Sequence, residues 1–265
     1  MKRHVQGLLA VGLMLSLPSA VMAYSGSYAP GTGINNTVHD LGTAKNGMDY
    51  TAVPSDAPLN RICIFCHAPH NTIRLSTAEG GVGPQATAEF DYLPLWNHTL
   101  QTDTAYIMYE NGTSAPEKGP KASQAIDQGM TPGSVSLLCL SCHDGSMAVN
   151  SYGNDAQLAK SVSRGAKFIN DRYRIGQGLY LGNHHPIGFD YDAVQGLDTE
   201  IRPSNKALLT PSSLVDDHLY AGKLECASCH SVHNTGNAGE TLLWRSDQNS
   251  ELCLTCHAKG IYTAP

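Results

Sequence analysis

All eight cysteines of this 265-residue chain fall into four units of one spelling. They are Cys63-Ile-Phe-Cys66-His67, Cys139-Leu-Ser-Cys142-His143, Cys226-Ala-Ser-Cys229-His230 and Cys253-Leu-Thr-Cys256-His257. No thiol is left over. A disulfide framework or a zinc site built from paired C-x-x-C units would not require a His directly after every pair. A thioredoxin-like motif would occur once, in a βαβ setting. C-x-x-C-H is the attachment signal of c-type haem: two thiols add to two vinyl groups, and the next residue supplies the proximal imidazole. One helical turn places both sulfurs and the ring nitrogen on the same side of the porphyrin. The chain is therefore expected to carry four covalently attached c-type haems, with His67, His143, His230 and His257 on the irons.

Composition agrees with a chain that wraps cofactors. Charged residues make up 15%, Phe occurs four times, and Gly and Pro number 26 and 14. Such a chain has little from which to build a conventional core. The expected fold class is mostly irregular coil with short α-helices at the attachment sites, little β structure, and four stacked haems as the organising core. Helices are expected over Ser134–His143 and Asn249–His257, each opening on a capping residue and running Leu-rich into its motif. Short strands are expected over Thr104–Tyr109 and Tyr173–Leu181.

The first residues read as an export signal. Lys2 and Arg3 precede an uncharged apolar stretch, Val5 to Leu17, and Val21-Met22-Ala23 forms a small-x-small cleavage site. Residues 1–23 are expected to be removed, leaving no membrane span in the mature chain. The expected location is the outer surface or the extracellular space, with the periplasm as the alternative. Loss of Lys2 and Arg3 takes the formal net charge from −6 to −8. That acidity argues against nucleic acid as a partner.

The motifs repeat in two kinds. Residues 63–72 and 226–235 both read C-x-x-C-H-x-x-H-N-T, and residues 138–143 and 252–257 both read L-C-L-[S/T]-C-H. The order suggests two haem pairs: 24–150 with an N-terminal arm, a connecting insertion over 151–215, and 216–265. Three Asn-x-Thr runs, at Asn35, Asn97 and Asn111, read as surface loops.

Seven further histidines are available as sixth ligands: His39, His70, His98, His184, His185, His218 and His233. His70 and His233 each lie three residues beyond a proximal His. They point away from their own iron, so His70 is expected at the second haem and His233 at the fourth. The first and third would draw on His39, His98, His184, His185 or His218. Met48, Met108, Met130 and Met147 occupy no corresponding positions, which favours bis-histidine ligation throughout.

The runs CIFCHAPHN (63–71), PLWNH (94–98), CLSCHDG (139–145), HHPIGF (184–189), KLECASCHSVHN (223–234) and LCLTCHAKG (252–260) resemble the doubled-CXXCH multihaem cytochromes, in particular the tetrahaem kind that polymerises into extracellular filaments. The resemblance implies bis-His haems, little regular structure and head-to-tail assembly. It also implies distal roles for His39 in the His-Asp-Leu run and for His185 in the His-Pro-Ile-Gly-Phe run.

An iron with two imidazoles has no position for substrate and can only pass electrons. The expected function is electron transfer, without enzymatic activity, in a polymer of copies of this chain serving redox partner proteins or extracellular acceptors. His39 lies on a Gly/Ser/Asn-rich arm, so a ligand donated across a subunit boundary is part of that expectation. The alternatives are a monomeric electron shuttle and a multihaem reductase with one open iron.

Overall fold

The computed structural model describes residues 31–35, 37–41, 62–70, 95–100, 105–109, 129–152, 168–235 and 240–265. The expected signal peptide, Thr104 and Asn111 lie outside this set.

Regular structure gathers at the four motifs. The first motif opens with a 3-10 turn, Cys63–Phe65. The second ends helix α1, Ser134–His143, the range expected from sequence. Val135, Leu137, Leu138 and Leu140 are all buried along it, as are Ser136 and Ser141, so the helix lies inside the fold. Helix α2, Tyr191–Leu197, is N-capped by Asp190, whose side chain accepts the Ala193 N–H at 2.8 Å. Helix α3, Cys226–Cys229, is one turn closed by a capping box between Glu225 and Ser228. Helix α4 spans Glu251–Cys256 rather than starting at Asn249. Asn249 and Ser250 have φ of +54° and +62°, a left-handed conformation that cannot lie inside a right-handed helix.

Four strands of two or three residues, β1 (Phe189–Asp190), β2 (Leu208–Thr210), β3 (Ser213–Leu214) and β4 (Lys223–Leu224), form two antiparallel pairs. Phe189 faces Leu224 across β1 and β4, and Leu208 faces Leu214 across β2 and β3. The strands expected over 104–109 and 173–181 reduce, among the described residues, to one parallel bridge between Ile107 and Tyr180. It is held by Ile107 N–H to Leu179 carbonyl (2.7 Å) and Leu181 N–H to Ile107 carbonyl (2.8 Å). Positive φ at Gly176, Gly178 and Leu179 curls the second segment into a 3-10 turn instead.

Trp96, Tyr106, Leu137, Leu181, Phe189 and Leu209 belong to one buried cluster that joins the loops to α1 and the strands. Met108, Met130 and Met147 are buried as well. Asn97 is not the surface residue that its Asn-x-Thr run suggested: it is buried, and its side-chain amide donates to the Ile64 carbonyl at 2.7 Å. Asn35 is exposed. Among the described residues no helix is long and apolar enough to cross a membrane.

Candidate haem sites

Each motif turns back on its first cysteine. The N–H of His67, His230 and His257 donates to the carbonyl of Cys63, Cys226 and Cys253, at 2.7, 3.1 and 2.9 Å. In the second motif α1 itself supplies the turn, with His143 as its last residue. The backbone thus sets two sulfurs and an imidazole on successive positions of one turn, four times. No disulfide joins any of the eight cysteines. Burial, reinforced by the neighbouring cysteines, pushes Cys66 and Cys229 up to about 12.

Three of the four proximal imidazoles face a second imidazole. His143 meets His39 with ring centroids 6.2 Å apart, His257 meets His185 at 6.2 Å, and His67 meets His233 at 6.1 Å. Metal–nitrogen bonds of about 2 Å on both sides of one ion would put the two ring centroids on the order of 6 Å apart. Ring pairs in ordinary edge contact lie in the same range, so the separation admits a metal between the two imidazoles without requiring one; the interplanar angles are 74°, 72° and 36°.

Backbone carbonyls orient these rings. Nδ1 of His143 donates to Tyr173 at 3.3 Å, Nδ1 of His230 to Leu242 at 3.2 Å, and Nδ1 of His185 to Pro186 at 2.8 Å. Each bond fixes the tautomer that leaves Nε2 available to metal. The ring of His39 lies by the backbone of Val232; burial, then the nearness of His143, pulls it down to about 4. It is neutral at ordinary pH, the form that ligates. Thr37 turns the chain toward this position, its hydroxyl donating to the Ile34 carbonyl (2.7 Å) and accepting the His39 N–H (3.2 Å).

The pairing departs from the sequence expectation in its details. His233 stands against His67 rather than the fourth motif, and His39 against His143 of its own chain. His70 is exposed, and among the described residues it pairs with no other imidazole. His230 makes no ring contact with another imidazole there, although it lies near both His39 and His143. His98 is buried with Nδ1 2.8 Å from the Thr99 carbonyl and Nε2 2.9 Å from the Ala148 carbonyl. The single N–H of its neutral ring goes to one of these carbonyls, and Nε2 also lies 3.3 Å from Cys142 Sγ, so it serves the fold beside the second motif. His218 engages its Nε2 with the Ser213 hydroxyl at 2.8 Å and packs on Trp244 at 4.5 Å. Of the adjacent pair, His185 faces the fourth motif and His184 does not.

One residue that sequence reasoning left without a role is Asn234. It is fully buried; its amide donates to the Gly33 carbonyl (2.9 Å), its side-chain oxygen accepts the Leu242 N–H (3.1 Å), and its own carbonyl accepts the Gly33 N–H (3.1 Å). It clips the N-terminal arm to the third motif and so brings His39 to His143. The signal was its place in the repeated H-N-T run.

Neighbouring motifs also adjoin in chain order. Cys66 lies close to Cys142, Cys139 close to Cys226, and Cys229 close to Cys256. Trp96 supplies a further sign of a missing polar partner. Its indole N–H is buried with no hydrogen-bond partner among the described residues, and its ring lies 5.8 Å from that of His67. A haem carries carboxylate groups that accept such a donor, so the residues present fit the group. Among the described residues no cluster of three or more His, Cys, Asp or Glu is arranged to hold a bare metal ion.

A family model described as the doubled CXXCH motif matches residues 218–261, the stretch that carries the third and fourth units. The match supports a multihaem c-type cytochrome with covalently bound haem, a class that works in electron transfer. No curated protein matches the sequence.

Proposed function

We propose that this chain is an exported tetrahaem electron relay, not an enzyme, that polymerises head to tail into an extracellular filament, in the manner of the cytochrome OmcE that its motifs resemble. The observation that carries the electron-transfer reading is the common 6.1–6.2 Å separation of three imidazole pairs. Each haem supplies a one-electron iron couple. The chain's residues would anchor it through Cys63 and Cys66, Cys139 and Cys142, Cys226 and Cys229, or Cys253 and Cys256. His67 with His233, His143 with His39, and His257 with His185 would hold the iron between two imidazoles within one chain, leaving no place there for a substrate. The contacts between successive motifs favour a relay in chain order, first to fourth.

The polymer reading draws on what the three pairs leave over. Among the described residues His230 makes no ring contact with an imidazole, its neighbour His39 being paired with His143, and His70 makes none either. One donor and one acceptor on each copy make a heterologous contact, which propagates instead of closing. His70 therefore replaces His39 as the ligand proposed to cross the subunit boundary.

Two measurements on the native, exported protein test this. A pyridine haemochrome assay should return four haems per chain. In His70→Ala the large particles should fall to single chains with one five-coordinate haem. Filaments of His70→Ala with an unchanged low-spin spectrum would exclude the cross-boundary ligand. Single chains in the unaltered protein would favour the monomeric shuttle.

A further inference from the structure

Glu225 is 2% exposed in a chain with few charges. Oε1 accepts the Gly133 N–H at 3.0 Å, and Oε2 accepts the hydroxyl of Ser136. The side chain also accepts the Ser228 N–H in the capping box. Ser136 Oγ receives the Cys226 N–H at 3.1 Å, so its single proton is the one directed at Glu225. Every one of these contacts gives a proton to the carboxylate, the arrangement that suits its ionised form.

The position of this charge is specific. Gly133 and Ser136 open α1, the helix of Cys139, Cys142 and His143; Glu225 is itself the N-cap of α3, which carries Cys226 and Cys229. One carboxylate thus ties together the beginnings of the second and third attachment helices, whose thiols Cys139 and Cys226 adjoin. Glycine at 133 admits it: a Cβ there would stand 2.5 Å from Oε1.

We infer that Glu225 is a fixed buried negative charge, shared by the second and third haem sites, that holds their two helices together and lowers the reduction potential of both haems. The inference rests on the tetrahaem reading above. Reduction adds an electron to each iron, and a nearby negative charge opposes that step. Buried, it is screened far less than a surface carboxylate. Glu225 is a positioning and tuning residue, since it reaches the irons only through the two helices and the field it sets up.

The test is a spectroelectrochemical titration of the holoprotein with Glu225→Gln, alongside a haem count. With four haems per chain, two of the four redox components should move to higher potential, and the difference should persist at high salt. Four bound haems with all components unmoved would overturn the inference, even if stability fell. Glu225→Asp keeps the charge while loosening the packing, so its low components should stay low as Tm drops. Raised components in that variant would also overturn it. Fewer than four haems in the unaltered chain would strike the tetrahaem reading instead.

Discussion

His98 and His185 are both histidines among backbone carbonyls, yet their ring nitrogens are spent differently. His98 has a carbonyl at each nitrogen and 1% exposure, whereas His185 uses Nδ1 on Pro186 and has its ring against that of His257. Replacing His98 by Ala leaves a buried carbonyl unmet and should cost about 1–3 kcal/mol in a denaturant titration, with no haem turned from low to high spin. Replacing His185 by Ala should do the reverse: nearly full stability, and one haem converted from low to high spin by electron paramagnetic resonance. The same distinction gives a pH dependence. Burial holds His98 and His218 below the ordinary histidine value. Below about pH 6.5 the unfolded chain takes up protons that these folded rings resist. Their contribution is present above that pH and is lost as pH falls toward the lowered values. Stability followed from pH 7.5 to 5 should therefore decline, and His218→Gln should flatten the decline.

At the scale of elements, the arm over residues 31–41 owes its position to Asn234. Truncation to Ala removes two buried side-chain bonds, to Gly33 and Leu242, at a cost of about 1–3 kcal/mol. It should also release His39, so the second haem of Asn234→Ala should bind carbon monoxide while Thr235→Ala does not. What was legible in the sequence at this scale is what local chemistry decides. The run from Ser134 into Leu137 and Leu138 shows a helix ending at His143, and the C-x-x-C-H spacing shows a turn at every motif. Which imidazole meets which motif was not legible. His70 and His233 occupy equal places in the repeat and both are exposed, yet only His233 stands against His67. The difference comes from contacts far apart in sequence, as when the amide of Asn234 holds Gly33. The start of α4 was missed for a backbone reason: Asn249 and Ser250 are polar enough to cap, but both sit in the left-handed region.

Across the molecule, the four motifs adjoin in chain order, and three of the four proximal imidazoles meet a second imidazole contributed by a distant segment. His39 comes from the arm, His185 from the connection and His233 from beside the third motif, so each pairing ties two parts of the chain together. Loss of bound haem should consequently unfold the molecule broadly, and cysteine-to-serine changes at Cys139 and Cys142 should lower Tm more than any single His98 or His218 replacement, as read by calorimetry. The account rests on every iron being closed by two imidazoles, one of them given by a neighbouring copy. The most direct test is a carbon monoxide difference spectrum of the dithionite-reduced native protein, separated by size. The account predicts no carbon monoxide binding in the large particles and binding to one haem per chain in single chains. One carbon monoxide-binding haem in every fraction would reveal an open iron and contradict it.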